Sequence, residues 1–259
     1  MVDLLRPSLA TTASGLPATG TSPFSASRKG EADLRLPSPI TVAPGVLLWR
    51  GWFDAGAQRA LLDQTRGGLA AAPLYRPVMP RTAKPFSVEQ SNFGRLGWVS
   101  DKKGYRYQTR HPVTGAPWPA IPPLLTALWD NITPFFGEAV PPPDCCLVNL
   151  YRGTARMGLH QDRDEKDISA PVVGVSLGDE ALFRIGGVRR GGPSISVPLA
   201  SGDVIAFGGV ARLAYHGIDC IRSGTSRLLA EGGRLSLTLR AVGPDKKGPR
   251  PETGRGQMR

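Results

Sequence analysis

The chain contains three histidines, His111, His160 and His216, and two of them stand in company that could bind a metal. His160 sits in LHQDRDE with Asp162 two residues on. In an extended segment, positions i and i+2 project to the same side, so an imidazole nitrogen and a carboxylate oxygen would converge on one point. His216, in AYHGI, lies on a separate run that reads as another strand and could bring a second imidazole. Two histidines and one carboxylate leave three positions of an octahedron open, the arrangement of non-haem Fe(II) oxygenases. The competing reading makes both histidines surface or hydrogen-bonded core residues, since an isolated His-x-Asp spacing carries little information. His111 has no partner at useful spacing and is expected on the surface.

A second group lies in RLSLTLR, where Arg234, Ser236, Thr238 and Arg240 alternate with Leu235, Leu237 and Leu239. Two arginines on the inward side of a strand are expensive to bury without anions. Such a strand spans about 20 Å, so two long side chains leaning together could bracket a small dicarboxylate, which the guanidinium fork matches bidentately. An edge strand with solvated arginines is the alternative. A third group places Trp98 and Tyr105 among Arg95, Lys102, Lys103, Arg106 and Arg110. Aromatics interleaved with cations suit a flipped or single-stranded base. Trp118 and Trp129 are assigned to packing, and the adjacent Cys145 and Cys146 to structure. The Val188-Arg189-Arg190 turn is either a phosphate contact or a solvated turn.

The elements that must position these groups can be sketched from pattern. Asp54 is an N-cap for a helix over 55–70 with Leu61, Leu62 and Leu69 as its apolar stripe. A second helix is expected over 122–136, opened by proline, with Leu125, Leu128, Trp129, Ile132 and Phe136 at helical spacing. From Cys146 onward the runs LVNLY, PVVGVSL, ALFRI, SISVPL, DVIAF and RLSLTLRA are separated by turn residues. Short strands of this kind form a sandwich, barrel or jelly roll. The expected order is two helices packing on an all-β half, in one domain over 40–242. Residues 1–39 and the basic 243–259 read as low-complexity, disordered tails.

Composition sets outer limits. The formal charge of +11 points to a polyanionic partner. No run approaches eighteen apolar residues, so no membrane partner is expected. Three cysteines cannot build a disulfide framework and no C-x-x-C pair exists, which suggests a reducing, cytoplasmic setting. No apolar segment follows a basic start, so a secretory signal is not expected.

From Asn149 to Arg240 the stretches NLYRGTARMGLHQDRDE, PVVGVSLG, FRIGG, SGDVIAFGG, YHGI and RLSLTLR, with NFGRLGWVSDKKGYRYQTRHPVTGAPWPAIP upstream, resemble the AlkB family of dioxygenases. Asn-x-Tyr, His-x-Asp-x-Asp, Tyr-His-Gly and a final pair of arginines occur in the family's order over about 40–242. The resemblance implies a mainly β (α+β) fold, a double-stranded β-helix or jelly roll with flanking N-terminal helices. Its nucleotide-recognition lid would lie near 90–118 and its jelly-roll core over 146–242. It implies Fe(II), 2-oxoglutarate and O2, with His160, Asp162 and His216 as iron ligands. Asn149 and Tyr151 match cosubstrate contacts, Arg234 the partner of its distal carboxylate, and Arg240 a second arginine nearer the iron. Ser236 stands where the family usually has asparagine. Trp98 and Tyr105 match the lid and Asp164 an acidic residue near the damaged base; Arg190, from the arginine-rich turn and not from the resemblance, is a candidate substrate contact. Phe207 stands where close relatives place tryptophan beside the substrate.

The implied reaction is oxidative demethylation of 1-methyladenine and 3-methylcytosine type lesions in DNA repair, releasing formaldehyde and succinate. The implied partner is alkylated DNA as a single-stranded or flipped base, with RNA also open, and the implied state a monomer. One alternative is an oxygenase of the same fold acting on RNA, protein or a small molecule. The other is a non-catalytic nucleic-acid-binding module, which would have no use for Arg234 and Arg240.

Overall fold

The computed structural model describes residues 37–243, so the expected tails fall almost wholly outside it. Among these residues β1 (Ile40–Ala43) and β2 (Val46–Trp49) precede α1 (Ala55–Ala71). Next come β3 (Glu89–Phe93), β4 (Gly97–Asp101), β5 (Gly104–Gln108) and α2 (Pro123–Ile132). The chain then runs through β6 (Cys145–Tyr151), β7 (Met157–His160), β8 (Val172–Gly178), β9 (Glu180–Gly186) and β10 (Ser194–Leu199). It ends with β11 (Val204–Phe207), β12 (His216–Arg222) and β13 (Arg234–Arg240). A seven-stranded sheet has the order β1-β2-β11-β8-β13-β6-β3, a four-stranded sheet the order β10-β9-β12-β7, and β4 and β5 form a separate hairpin.

The alternation in β13 decides how the layers stack. Leu235, Leu237 and Leu239 are fully buried and pack with Leu61, Leu62, Leu125 and Leu128 of the helices. The opposite face of the large sheet meets the small one, with Val172, Ile205 and Phe207 packed among Phe183, Ile185, Val197 and Ile218. Period-2 alternation therefore sends leucine to the helix layer and the polar residues between the sheets. This is the expected jelly-roll architecture.

Asp54 does cap α1, its Oδ1 accepting from the Ala57 N–H at 2.8 Å. Four expectations need correction. The second helix stops at Ile132 and tightens into a 3-10 turn over Thr133–Phe135, because Pro134 has no N–H for the next helical bond. The N-terminal half is not purely helical: β1, β2 and β3 all join the large sheet. Residues 90–93, placed in the lid by resemblance, belong to β3 and pair with β6; the hairpin proper covers 97–108. His111 is buried, 1% exposed. Its Nε2 lies 2.7 Å from the Pro73 carbonyl, while Nδ1 accepts from the N–H groups of Val113 and Thr114. One backbone carbonyl distant in sequence and two neighbouring N–H groups satisfy this ring. Trp118, Trp129, Cys145 and Cys146 are buried as expected. No helix among the described residues is long and apolar enough to cross a membrane.

Candidate active site

His160 ends β7 and His216 begins β12, and the two are direct partners in the antiparallel ladder. Cross-strand partners project to the same face, which brings the ring centroids to 4.5 Å. Gly217 permits this approach: a Cβ there would sit 2.4 Å from the Met157 carbonyl oxygen. Asp162 lies just past β7. Its Oδ1 is 3.6 Å from His160 Nε2 and its Oδ2 is 3.6 Å from His216 Nε2.

Each histidine Nδ1 stands 3.0 Å from the carbonyl oxygen two residues earlier, Gly158 for His160 and Ala214 for His216. A carbonyl can only accept, so Nδ1 carries the proton and Nε2 offers a lone pair toward Asp162. Burial, followed by the nearby His160, pushes the His216 pKa down to about 4, which keeps it neutral at pH 7. Burial alone would raise the Asp162 pKa, but the Arg240 guanidinium and both histidines hold it well below the carboxylate range. Asp162 Oδ2 has no hydrogen-bond partner, although Arg240 Nη2 lies 2.8 Å away. The contact is ionic but not aligned as a hydrogen bond. An ionised carboxylate and two imidazole lone pairs, all within 4.8 Å of one another, fit a divalent cation of intermediate softness.

The triad opens into a cavity of about 730 Å³ between the two sheets. Its floor includes a polar row of directly opposed residues, Gln90 on β3, Asn149 on β6 and Ser236 on β13, which Ser176 on β8 continues beyond the cavity lining. Gln90 Nε2 donates to Asn149 Oδ1 at 2.6 Å, leaving the Asn149 amide nitrogen to donate elsewhere. Arg234 is 3% exposed. Its Nη2 donates to Ser176 Oγ at 2.8 Å and its Cζ lies 5.4 Å from the Tyr151 ring centroid, but Nε and Nη1 have no partner. Burial pulls its pKa down. A buried guanidinium with two idle donors beside a cavity fits a carboxylate ligand.

At the other end of β13, Arg240 joins a buried network. Its Nε is 3.5 Å from Glu165 Oε1 and its Nη1 donates to the Tyr107 hydroxyl at 3.3 Å. Arg212 Nη2 lies 3.2 Å from Glu165 Oε2, and Arg212 Nη1 donates to the Asp162 carbonyl oxygen at 2.6 Å. No motif or short spacing in the sequence points to Glu165, Arg212, Tyr107 or Gln90. Glu165 at least adjoins Asp164 in the acidic run, but the others meet the site only through long-range contacts.

The hairpin arches over this end. Trp98 and Tyr105 stack at 5.5 Å with an 18° tilt, and Trp98 Nε1 donates to Asp164 Oδ2 at 2.8 Å. Asp164, expected to meet an exocyclic amine, already holds a donor of the hairpin. The Phe207 ring packs 4.6 Å from that of His216, and Arg190 is exposed at the rim. Trp98, Tyr105, Asn149, Tyr151, His160, Asp162, Asp164, Arg190, Phe207, His216, Arg234, Ser236 and Arg240 all line the one cavity.

Residues 45–240 match the family described as the 2OG-Fe(II) oxygenase superfamily. The chain is 53% identical over 204 residues to an alpha-ketoglutarate-dependent dioxygenase AlkB homolog of Caulobacter vibrioides, covering 78% of this chain and 90% of that protein. It is 37% identical over 201 residues to the alpha-ketoglutarate-dependent dioxygenase AlkB of Escherichia coli, covering 78% and 91%. The solved structure of OsALKBH1 superposes with a TM-score of 0.64 at 30% identity, covering 78% of this chain and 99% of that one.

Proposed function

The chain belongs to the 2OG-Fe(II) oxygenase superfamily, in its AlkB group, and from that premise we propose how its cavity removes alkyl lesions from nucleic-acid bases. The protein is an Fe(II)- and 2-oxoglutarate-dependent dioxygenase that acts in oxidative demethylation. His160, Asp162 and His216 would hold the Fe(II); Arg234 would take the distal carboxylate of 2-oxoglutarate, and Asn149, Tyr151 and Ser236 would orient it. When bound, iron and 2-oxoglutarate would supply the oxidation, one atom of O2 going to a methyl carbon on a ring nitrogen and the other into the succinate formed as 2-oxoglutarate loses CO2. The resulting hydroxymethyl group leaves as formaldehyde and restores the base.

The chain's own residues prepare that step. Arg240 keeps Asp162 ionised and aimed, and the two backbone carbonyls keep both Nε2 lone pairs free. Trp98 and Tyr105 offer ring faces to an unstacked base, whose extrusion costs a few kcal/mol and whose stacking returns about 1–3 kcal/mol. Asp164 places negative charge where the cationic 1-methyladenine or 3-methylcytosine ring would lie. The substrate is alkylated DNA presented as a single-stranded or flipped base to a monomer, with Arg190 on its backbone.

The observation that carries this reading is Arg234, buried and half unsatisfied in the cavity that holds the His-Asp-His group. A module that only binds nucleic acid has no use for it. The test is formaldehyde and succinate release from oligonucleotides bearing 1-methyladenine, 3-methylcytosine or N6-methyladenine, with and without 2-oxoglutarate. Formaldehyde from the ring-nitrogen lesions, dependent on 2-oxoglutarate, is expected. Succinate without formaldehyde from any oligonucleotide would move the substrate to protein or a small molecule; neither product would sink the enzyme reading.

A further inference from the structure

Trp98 and Tyr107 stand directly opposite each other on β4 and β5, so their side chains leave the same face of the hairpin. Each grips one of two consecutive acidic residues in the loop after β7. Trp98 Nε1 donates to Asp164 at 2.8 Å, and the Tyr107 hydroxyl donates to Glu165 Oε1 at 2.5 Å. Asp164 lines the cavity. Glu165 points the other way, into the network with Arg212 and Arg240, and its side chain is 1% exposed. The reaction as derived above uses Asp162 and Arg240 but gives Glu165 and Tyr107 no task.

We propose that Tyr107 is a positioning residue that fastens the aromatic hairpin to the metal-binding carboxylate through Glu165 and Arg240. The inference rests on reading His160, Asp162 and His216 as the iron ligands. A carboxylate can present either oxygen or both, and the 2.8 Å contact of Arg240 Nη2 with Oδ2 sets which remains for the metal. The Arg240 fork is itself held from three sides, by Asp162, Glu165 and Tyr107. Without the Tyr107 hydroxyl, Arg240 Nη1 loses its hydrogen bond and Glu165 Oε1 loses a donor. The guanidinium is then free to shift toward Glu165 and away from Asp162. Because linkage is reciprocal, a base that moves the hairpin also moves the iron-binding carboxylate by the same path.

Co(II) serves as the probe, because its d–d absorption reports ligand geometry independently of turnover. Tyr107→Phe keeps the ring packed beside Leu96, Cys145 and Val242 and removes only the hydroxyl. The expected result is a Co(II) affinity weakened by about tenfold or more, the range for groups that orient metal ligands, with a changed d–d spectrum and a metal-free Tm close to native. Affinity within about twofold of native and an unchanged spectrum would overturn the proposal, whatever the Tm. Should Tyr107→Phe not fold, Glu165→Gln, which keeps the shape but removes the charge facing Arg240, is judged by the same two limits. Native protein that binds no Co(II) would instead refute the metal site itself, so the two failures are distinct.

Discussion

Arg234 carries a buried charge whose Nε and Nη1 have no partner, so the fold and the carboxylate proposed for it make opposite demands. Arg234→Met should raise the stability of the metal-free protein by about 1–3 kcal/mol, since an apolar side chain removes the uncompensated charge. The same variant should lose about 2–5 kcal/mol of 2-oxoglutarate affinity, read by calorimetry with Mn(II) present. Adding 2-oxoglutarate should then raise the native Tm but not that of the variant. The triad splits in a related way. His160 is 41% exposed and Asp162 6% at the side chain, and only Asp162 faces Arg240. Both alanine variants should abolish metal binding, but Asp162→Ala should also cost about 1–3 kcal/mol of metal-free stability, because it leaves the buried Arg240 with Glu165 as its one remaining anionic partner. Equal melting curves for the two variants would contradict the geometry. His216 adds a pH dependence. Its pKa is depressed to about 4 in the folded protein from about 6.5 unfolded, so its contribution is fully present above pH 6.5 and is lost as pH falls toward 4. The metal-free protein should lose on the order of 3 kcal/mol across that window. His216→Gln should flatten the decline.

At the scale of the element, the hairpin pairs with no strand of either sheet among the described residues and can be tested as a unit. Gly97 packs so closely on the Trp118 indole that a Cβ would lie 2.4 Å from it, and Trp118 is buried. Gly97→Ala should therefore displace the base of β4 and carry Trp98 off Asp164. The apparent constant for methylated oligonucleotide should rise while conversion of 2-oxoglutarate alone persists. Trp98→Ala should act in the same direction, because Trp98 is only partly buried and is not a core residue. A Trp98→Ala protein that loses succinate formation and stability together would place that ring in the structural core instead. The Arg106–Asp101 pair near the hairpin tip, at 2.7 Å, explains the Asp101 pKa, lowered to about 2 chiefly by that hydrogen bond. Its small contribution is intact above pH 4 and fades as pH falls toward 2.

For the whole molecule, the surplus of 32 Lys and Arg over 21 Asp and Glu should act through phosphate rather than base edges. Affinity for undamaged DNA should fall steeply with salt, with a log–log slope near −0.9 for each phosphate contacted. Arg189 and Arg190 are exposed in the turn between β9 and β10. Replacing both with alanine should lower that slope by about 2 without altering 2-oxoglutarate binding. A slope that stays the same would move the backbone contact elsewhere.

His160, Asp162, His216, Arg234 and Arg240 are legible from local pattern because each lies on a strand or just past one, where side-chain direction follows from period, whereas Asn149 and Tyr151 enter only through the family resemblance. Alternation likewise sorts β13 into leucine and arginine faces from the sequence alone. Local pattern could not supply what depends on which strands become neighbours. The pairing of β7 with β12 makes His160 and His216 cross-strand partners, and the pairing of β3 with β6 brings Gln90 to Asn149. Tyr107, Glu165 and Arg212 converge from segments far apart in sequence, and His111 is satisfied by the carbonyl of Pro73. The chemistry of a site is written in residue types and short spacings. The buried network that aims it exists only once burial makes each unpaired charge costly enough to require its partner.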